Sequence, residues 1–292
     1  MNLFCTLPLF HYLCIQNIVD MKQKFFPILM IAATLVGCAG NKSKTTAEID
    51  GIAFDSVLVD TVCHLTSDTN SPAFNIKLSL QYAKGDSAQA FNDSLLACGI
   101  LMPDYMPDGE TKDIPSVVNQ FVEKAFKQYK EFSLPIYRDD PEHSQSLNNS
   151  YEVKTETRNV EGDVINYIAT VYYYGGGAHG MGQTIVKNIN AKTGKIVQLS
   201  DVFVPGYEKT LVAKLSDKLK EFFKVENDEG LKENIFVDSL YVPDNFILGK
   251  DNITFIYNSD EIAAHAVGEI RLEFAKSDLE GILQKKIACR QF

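Results

Sequence analysis

The chain has 292 residues, 45% of them apolar, with 13 Tyr, 18 Phe and no Trp, enough to build one large core or two smaller ones. A formal charge of −10 and a pI near 5.0 exclude the cationic footprint that non-specific nucleic-acid binding requires. They leave attraction to a cationic partner open.

The first recognisable signal lies at Met21-Lys22-Gln23-Lys24, followed by the apolar run from Phe25 to Val36 and by Leu35-Val36-Gly37-Cys38. Basic, apolar and small-residue segments in that order read as a signal peptide. Leu-Val-Gly-Cys resembles the lipobox of bacterial lipoproteins, whose cysteine becomes the acylated N-terminus. The apolar run falls short of the ~20 residues of a membrane-spanning helix, and Asn41 to Asp50 follows as a polar tether. The reading is a signal region over 1–37, starting at Met1 or Met21, lipid on Cys38 and a linker over 38–50. This anchors the protein to a membrane in the cell envelope, periplasmic or associated with the outer membrane. Beyond Cys38 the cysteines are Cys63, Cys98 and Cys289, which allow one disulfide at most. They form no Cys-x-x-Cys pair of the kind zinc ribbons use, and no metal or cofactor is assigned.

Ile52 to Leu65 reads as a strand, and Phe74, Ile76, Leu78, Leu80 and Tyr82 alternate as a half-buried second one. After the turn Gly85-Asp86-Ser87, with Ser87 as N-cap, Ala88, Phe91, Leu95 and Leu96 have helical spacing. Gly99 to Ile114 reads as a loop. Pro115 then suits the first turn of a helix with apolar face Val117, Val118, Phe121, Val122, Ala125, Phe126, Tyr129 and Phe132. Arg138 to Asn149 reads as a solvent loop, and Tyr151, Val153, Thr155 and Thr157 alternate again. Glu161-Gly162-Asp163 turns the chain into the strand Val164 to Tyr174.

Next come Gly175-Gly176-Gly177-Ala178-His179-Gly180-Met181-Gly182 and a strand from Gln183 to Asn190. Five glycines between two strands predict a wide hairpin connection with φ > 0 at several positions, or close backbone approach. Lys192-Thr193-Gly194 is a second turn, Leu199 to Phe203 packs on something apolar, and Pro205-Gly206 breaks the chain. Leu211, Val212, Leu215, Leu219, Phe222 and Phe223 predict an amphipathic helix over 207–225. Strands follow at Pro243 to Leu248, at Ile253 to Tyr257 and at Ile270, Leu272 and Phe274. Ser277 to Glu280 has capping-box spacing and predicts a terminal helix. The fold class expected is α+β, with mostly antiparallel sheets, packed helices and two subdomains, 51–160 and 161–292.

An ordered set of short motifs runs through the second half. Tyr174-Gly175-Gly176-Gly177-Ala178-His179-Gly180 is followed by Asn188-Ile189-Asn190 with Thr193-Gly194, and by Leu199-Ser200-Asp201-Val202-Phe203. Downstream lie Ile253 to Tyr257 and Glu261 to Gly268. Together these resemble the extracytoplasmic domain of unknown function at the C-terminus of RsiV-type anti-sigma factors, related to a region of the PdaC peptidoglycan deacetylase. The resemblance covers roughly 165–283, and 74–164 looks like the smaller domain that precedes it. It implies a sensory or envelope-binding module, since one such member is a lysozyme receptor and the deacetylase keeps its chemistry in a separate domain. Where that family tends to have Pro and Tyr after Glu-Ile-Ala, this chain has Ala264 and His265, so no ligand contact is carried over there.

Gly175, Gly177 and Gly180 spell G-x-G-x-x-G, but a dinucleotide site needs that run to open a helix, and strand alternation follows it here. His179 has three readings: a clamp on loop carbonyls, a base, or a ligand. Asp260, Glu261, His265 and Glu269 form the other polar cluster. With His179 they could make an oxygen-and-imidazole metal site if the two loops converge, or an acid–base pair on a glycan. Tyr172, Tyr173 and Tyr174 alternate faces, so at least one ring is free for contact. The candidate binding loop is therefore Tyr173, Tyr174, Gly176, Gly177, His179 and Gly180, with Asp260, Glu261 and His265 as a secondary cluster. The function expected is non-catalytic binding of a lysozyme-like protein or of peptidoglycan. The alternatives are an envelope-polymer hydrolase using His179 with Asp260/Glu261, and a structural envelope lipoprotein.

Overall fold

Alternation of apolar residues over 52–64, 73–84, 149–160 and 164–174 builds the larger of two sheets. A computed structural model of the chain describes residues 48–49, 52–85, 88–101, 113–160 and 163–288, all within one compact unit. Cys38 and its signal region, the proposed cap Ser87, Glu161, Gly162 and Cys289 lie outside the described residues.

The larger sheet has the order β1 (Glu48–Ile49), β2 (Ile52–His64), β3 (Ala73–Lys84), β4 (Asn149–Val160), β5 (Val164–Tyr174) and β6 (Met181–Asn190). All pairs are antiparallel except β3–β4, whose crossover carries α1 (Ala88–Leu96) and α2 (Ile114–Asp139). Both helices cover one face of the sheet. Phe91, Val117, Val118 and Phe121 meet Ile76, Leu78, Leu80 and Tyr151 in a fully buried cluster. The Asn92 amide bonds both the N–H and the carbonyl of Ala83 at 2.9 Å, which fixes α1 to the end of β3. α2 starts with Asp113 accepting from the Ser116 amide and with Pro115 in its first turn.

α2 runs further than its apolar pattern predicts. It continues through Pro135 to Asp139, so the expected solvent loop begins only at Asp140, and Phe132 is 65% exposed instead of joining the core. A 3-10 turn over Ser144–Leu147 then leads into β4.

The smaller sheet has the order β7 (Phe246–Leu248), β8 (Asn252–Tyr257) and β9 (Ile270–Ala275), all antiparallel. Against it pack α3 (Leu199–Val202) and α4 (Glu208–Phe223). Leu211, Leu215 and Leu219, at i, i+4 and i+8, have no exposure. Each such burial is worth about 2–3 kcal/mol. The Ser277 segment does not open the expected helix. It forms a 3-10 turn over Lys276–Leu279, and a short α6 appears only at Lys285–Ala288. The reason is a competing backbone pairing: Val204 N donates to Ile282 O and Gln284 N to Val202 O, both at 2.8 Å.

The two cores meet across β5. Ile165, Tyr167, Ala169 and Val171 face the helices, while Val164 and Ile168 face the small sheet. The expected division at 160/161 falls inside the β4–β5 hairpin, where Val160 pairs with Val164. Asparagines join β6, the last strand of the large sheet, to the small sheet. Asn188 accepts from Leu248 N (2.9 Å) and donates to Phe246 O (2.9 Å). Asn245 accepts from Val186 N and donates to Thr184 O, both at 2.8 Å. Side-chain amides thus stand in for a seventh strand along an edge that would otherwise bury unpaired backbone groups.

Candidate functional site

The glycine connection between β5 and β6 is shaped by contacts that a side chain would block. Gly176 (φ +90°) presses on the Ser146 carbonyl, where a Cβ would collide, and Gly177 (φ +95°) has open space around it. The Tyr172 ring lies across Gly180, again leaving no room for a Cβ. The Tyr174 hydroxyl donates to Gly177 O at 3.0 Å. The expected hairpin has positive φ at two positions, Gly176 and Gly177, and close approach at Gly175, Gly176 and Gly180, and the run opens strand β6, not a helix.

The three tyrosines divide as alternation requires. Tyr173 turns to the core, with its ring 6.3 Å from that of Tyr151, and burial raises its hydroxyl pKa above the ordinary value. Tyr174 is half-buried, and Tyr172 is the exposed ring, at 40%. Register places Tyr172 in one row with Glu152 and Lys77, flanked by a row of Thr170, Lys154 and Ser79. This is the open face of the large sheet. The small sheet covers the face as far as Ile168, and it is exposed again at Thr170 and Tyr172.

The second cluster sits on the loop between β8 and β9. Asn258 N donates to Glu261 Oε2 at 2.7 Å, and the Tyr241 hydroxyl donates to Glu261 Oε1 at 2.8 Å. Both oxygens of Glu261 are therefore engaged in holding the loop. Burial, then the Glu261 carboxylate, raises the pKa of the Tyr241 hydroxyl, as fits a donor to a carboxylate. Asp260 adopts φ +64°, and its Oδ2 lies 2.7 Å from His265 Nδ1. Glu269 pairs with Arg271 instead of joining this group. Asn258 also accepts from Thr184 N at 2.7 Å, tying the loop to β6.

The two loops converge. The His179 and His265 rings stack with centroids 4.1 Å apart and planes at 25°. Both residues are exposed. His179 Nδ1 is 3.2 Å from Gly180 O, the loop clamp that was one of its readings. Of the predicted residues, Asp260, His265 and His179 come together, while Glu261 and Tyr173 serve the framework. Sequence reasoning left Tyr172 out of the candidate loop and missed Asn258 altogether. Strand alternation marks Tyr172 as opposite in face to Tyr173, but no local signal marks Asn258.

An aspartate on one imidazole nitrogen is the pairing that fixes the orientation of a histidine ring. Here the neighbour stacked on that imidazole is a second imidazole. Among the described residues no group of three or more His, Cys, Asp or Glu side chains is arranged to hold a metal ion. No helix among them is long and apolar enough to cross a membrane.

Residues 200–277 match the family model described as a protein of unknown function, DUF3298, so this part of the chain is a DUF3298 domain. It contributes Asp260 and His265, while His179 lies outside it. The crystal structure of a DUF3298 family member from Bacteroides fragilis matches with TM-score 0.74 at 24% identity, covering 82% of this chain and 97% of its own. A DUF3298 family protein from Pseudomonas aeruginosa matches with TM-score 0.55 at 17% identity over the same shares. At these identities the likeness shows the mixed α+β fold. No curated protein matches the chain.

Proposed function

We propose that this chain is an RsiV-like, lipid-anchored cell-envelope protein whose folded part is a non-catalytic binding module. Its recognition face is the open end of the large sheet around Tyr172, together with the His179–His265 pair. The observation that carries this reading is the meeting of two loops, 86 positions apart at His179 and His265, on an exposed aromatic face. An exposed tyrosine beside a loop held by glycine contacts offers a rigid, amphipathic contact area at small entropic cost. The ligand classes are a lysozyme-like cationic protein, which the charge of −10 attracts, and peptidoglycan. The lipobox at Cys38 supplies the anchor.

The hydrolase alternative loses one of its two carboxylates, because Glu261 already accepts from Tyr241 and Asn258. Asp260 is turned to His265 at 2.7 Å, which favours a role in positioning that ring over the second carboxylate that glycoside hydrolysis uses.

A pull-down with immobilised lysozyme and with purified peptidoglycan tests the proposal. One of the two should retain the parent chain and release a Tyr172→Ala/His179→Ala variant whose circular dichroism is unchanged. Retention of neither parent nor variant on both matrices contradicts it.

A further inference from the structure

We propose that the outer edge of β2 is a self-association surface, on which a second copy of this chain adds its own β2 antiparallel across a two-fold axis at Leu58. The large sheet treats its two edges differently. At β6 the amides of Asn188 and Asn245 engage the backbone groups between the sheets. At the other edge β1 pairs only with Ile52 and Ala53, and among the described residues no strand lies outside β2 from Phe54 onward. The Leu65 amide donates to Pro72 O at 2.9 Å, and in an antiparallel ladder such bonded residues alternate along the strand. The odd-numbered residues of β2 therefore bond to β3. The N–H and C=O groups of Phe54, Ser56, Leu58, Asp60 and Val62 point outward, and Ser56 N, as an outward group, turns to the Asp55 carboxylate at 2.8 Å. Proteins keep such an edge single with proline, lysine or a bulge. Residues 54–62 contain no proline and no lysine, and the register of β2 with β3 runs without a bulge from Ala53 to His64. The exposed row of β2 carries Leu58 at 73% and Val62 at 47% exposure.

The pattern along this edge selects the partner. Phe54-Asp55-Ser56-Val57-Leu58-Val59-Asp60-Thr61-Val62 reads apolar, polar, polar, three apolar, polar, polar, apolar, the same in both directions. Antiparallel pairing about Leu58 sets Leu58 on Leu58, Val57 on Val59, Ser56 on Asp60, Asp55 on Thr61 and Phe54 on Val62. Apolar meets apolar and each carboxylate meets a hydroxyl, the cross-strand matches that stabilise a ladder. In this register every outward-pointing residue also faces another outward-pointing one. An axis at Asp60 would oppose like charges, and an axis at Val59 would set Asp60 against Leu58. Copies of a chain with charge −10 repel one another, but Lys84 pairs with Asp55, and Lys77 lies 3.9 Å from Asp60. The edge is thus locally balanced, which suits a second balanced edge better than a charged peptide. The two-fold axis stands perpendicular to the sheet, so the open faces of both copies, each with its Tyr172, look the same way.

The test is sedimentation velocity of the purified full chain over a range of concentrations, together with oxidative crosslinking. The expected result is a monomer–dimer equilibrium that Leu58→Lys shifts to monomer, because two ammonium groups then oppose each other on the axis. The Leu58 side chain is exposed, so the melting temperature of that variant at monomeric concentration should match the parent's. Leu58→Cys should crosslink to itself above the parent's level, since bonded antiparallel pairs hold their Cα atoms about 5.5 Å apart, within disulfide reach. Ser56→Cys and Asp60→Cys should each stay uncrosslinked alone and crosslink when mixed, which fixes the register. A chain that is monomeric at every concentration, with no crosslink in Leu58→Cys, overturns the proposal. It leaves the edge to a foreign strand or to residues 38–47 of the same chain. A dimer that persists in Leu58→Lys also overturns it, as does Ser56→Cys crosslinking to itself in preference to Asp60→Cys.

Discussion

At the scale of single residues, the glycine loop separates two effects that sequence alone merges. Gly177 has positive φ and free space, while Gly176 has positive φ and the Ser146 carbonyl against it. Gly177→Ala should cost about 1 kcal/mol, from backbone strain alone. Gly176→Ala should cost about 2–3 kcal/mol, because Ser146 must also move. At about 2–4 °C per kcal/mol for a domain of this size, thermal melts resolve the difference, and equal shifts would refute the assigned contact. Cys98 makes a second prediction at this scale. Its thiol donates to Ser94 O at 2.9 Å, and burial pushes its pKa from 9.0 to about 11. The reactive thiolate is therefore scarce in the folded chain at pH 8, so iodoacetamide should modify Cys98 only as fast as the protein opens. Because the folded value lies above the unfolded one, the stability this thiol contributes is intact below about pH 9. It is lost as pH rises through about 11, and rapid modification at pH 8 in native buffer would contradict this burial.

At the scale of elements, the asparagines on β6 explain how two sheets become one body. Asn188 is 1% exposed and satisfies Phe246 O and Leu248 N. Asn188→Leu keeps the branched shape but leaves both groups without partners, at an expected cost of about 2–4 kcal/mol. The urea midpoint should fall accordingly, and an unchanged midpoint would mean that the sheets are held by apolar packing alone. Strand period was legible to the residue for β5, and nearly so for β2, β3 and β4, because alternation reports directly which side faces a core. Helix ends were less legible. α2 passes Pro135 where its apolar face has already run out. The capping-box spacing at Ser277 was overruled by pairing between 202–204 and 282–284, a contact of distant segments that no local pattern encodes.

At the scale of the whole molecule, the fold class and the glycine hairpin could be read from the chain, but the site could not be assembled from it. His179 and His265 were each marked by composition around them. Their stacking depends on the register of β5 against β6, on Asn258 gripping Thr184 N, and on the small sheet stopping at Ile168 so that Tyr172 stays open. The site therefore draws on both cores: the DUF3298 domain brings the Asp260–His265 dyad, and the preceding hairpin brings His179 and the aromatic face. If that face recognises an envelope ligand as one surface, the two histidines must act together in binding. The direct measurement is a double-mutant cycle on equilibrium binding of the chain to lysozyme and to peptidoglycan, using His179→Ala, His265→Ala and both. The account predicts that each single change weakens binding to one ligand about tenfold or more, and that the double variant is little worse than either single, as coupled neighbours require. Single variants that bind both ligands as the parent does, or losses that simply add, would contradict it.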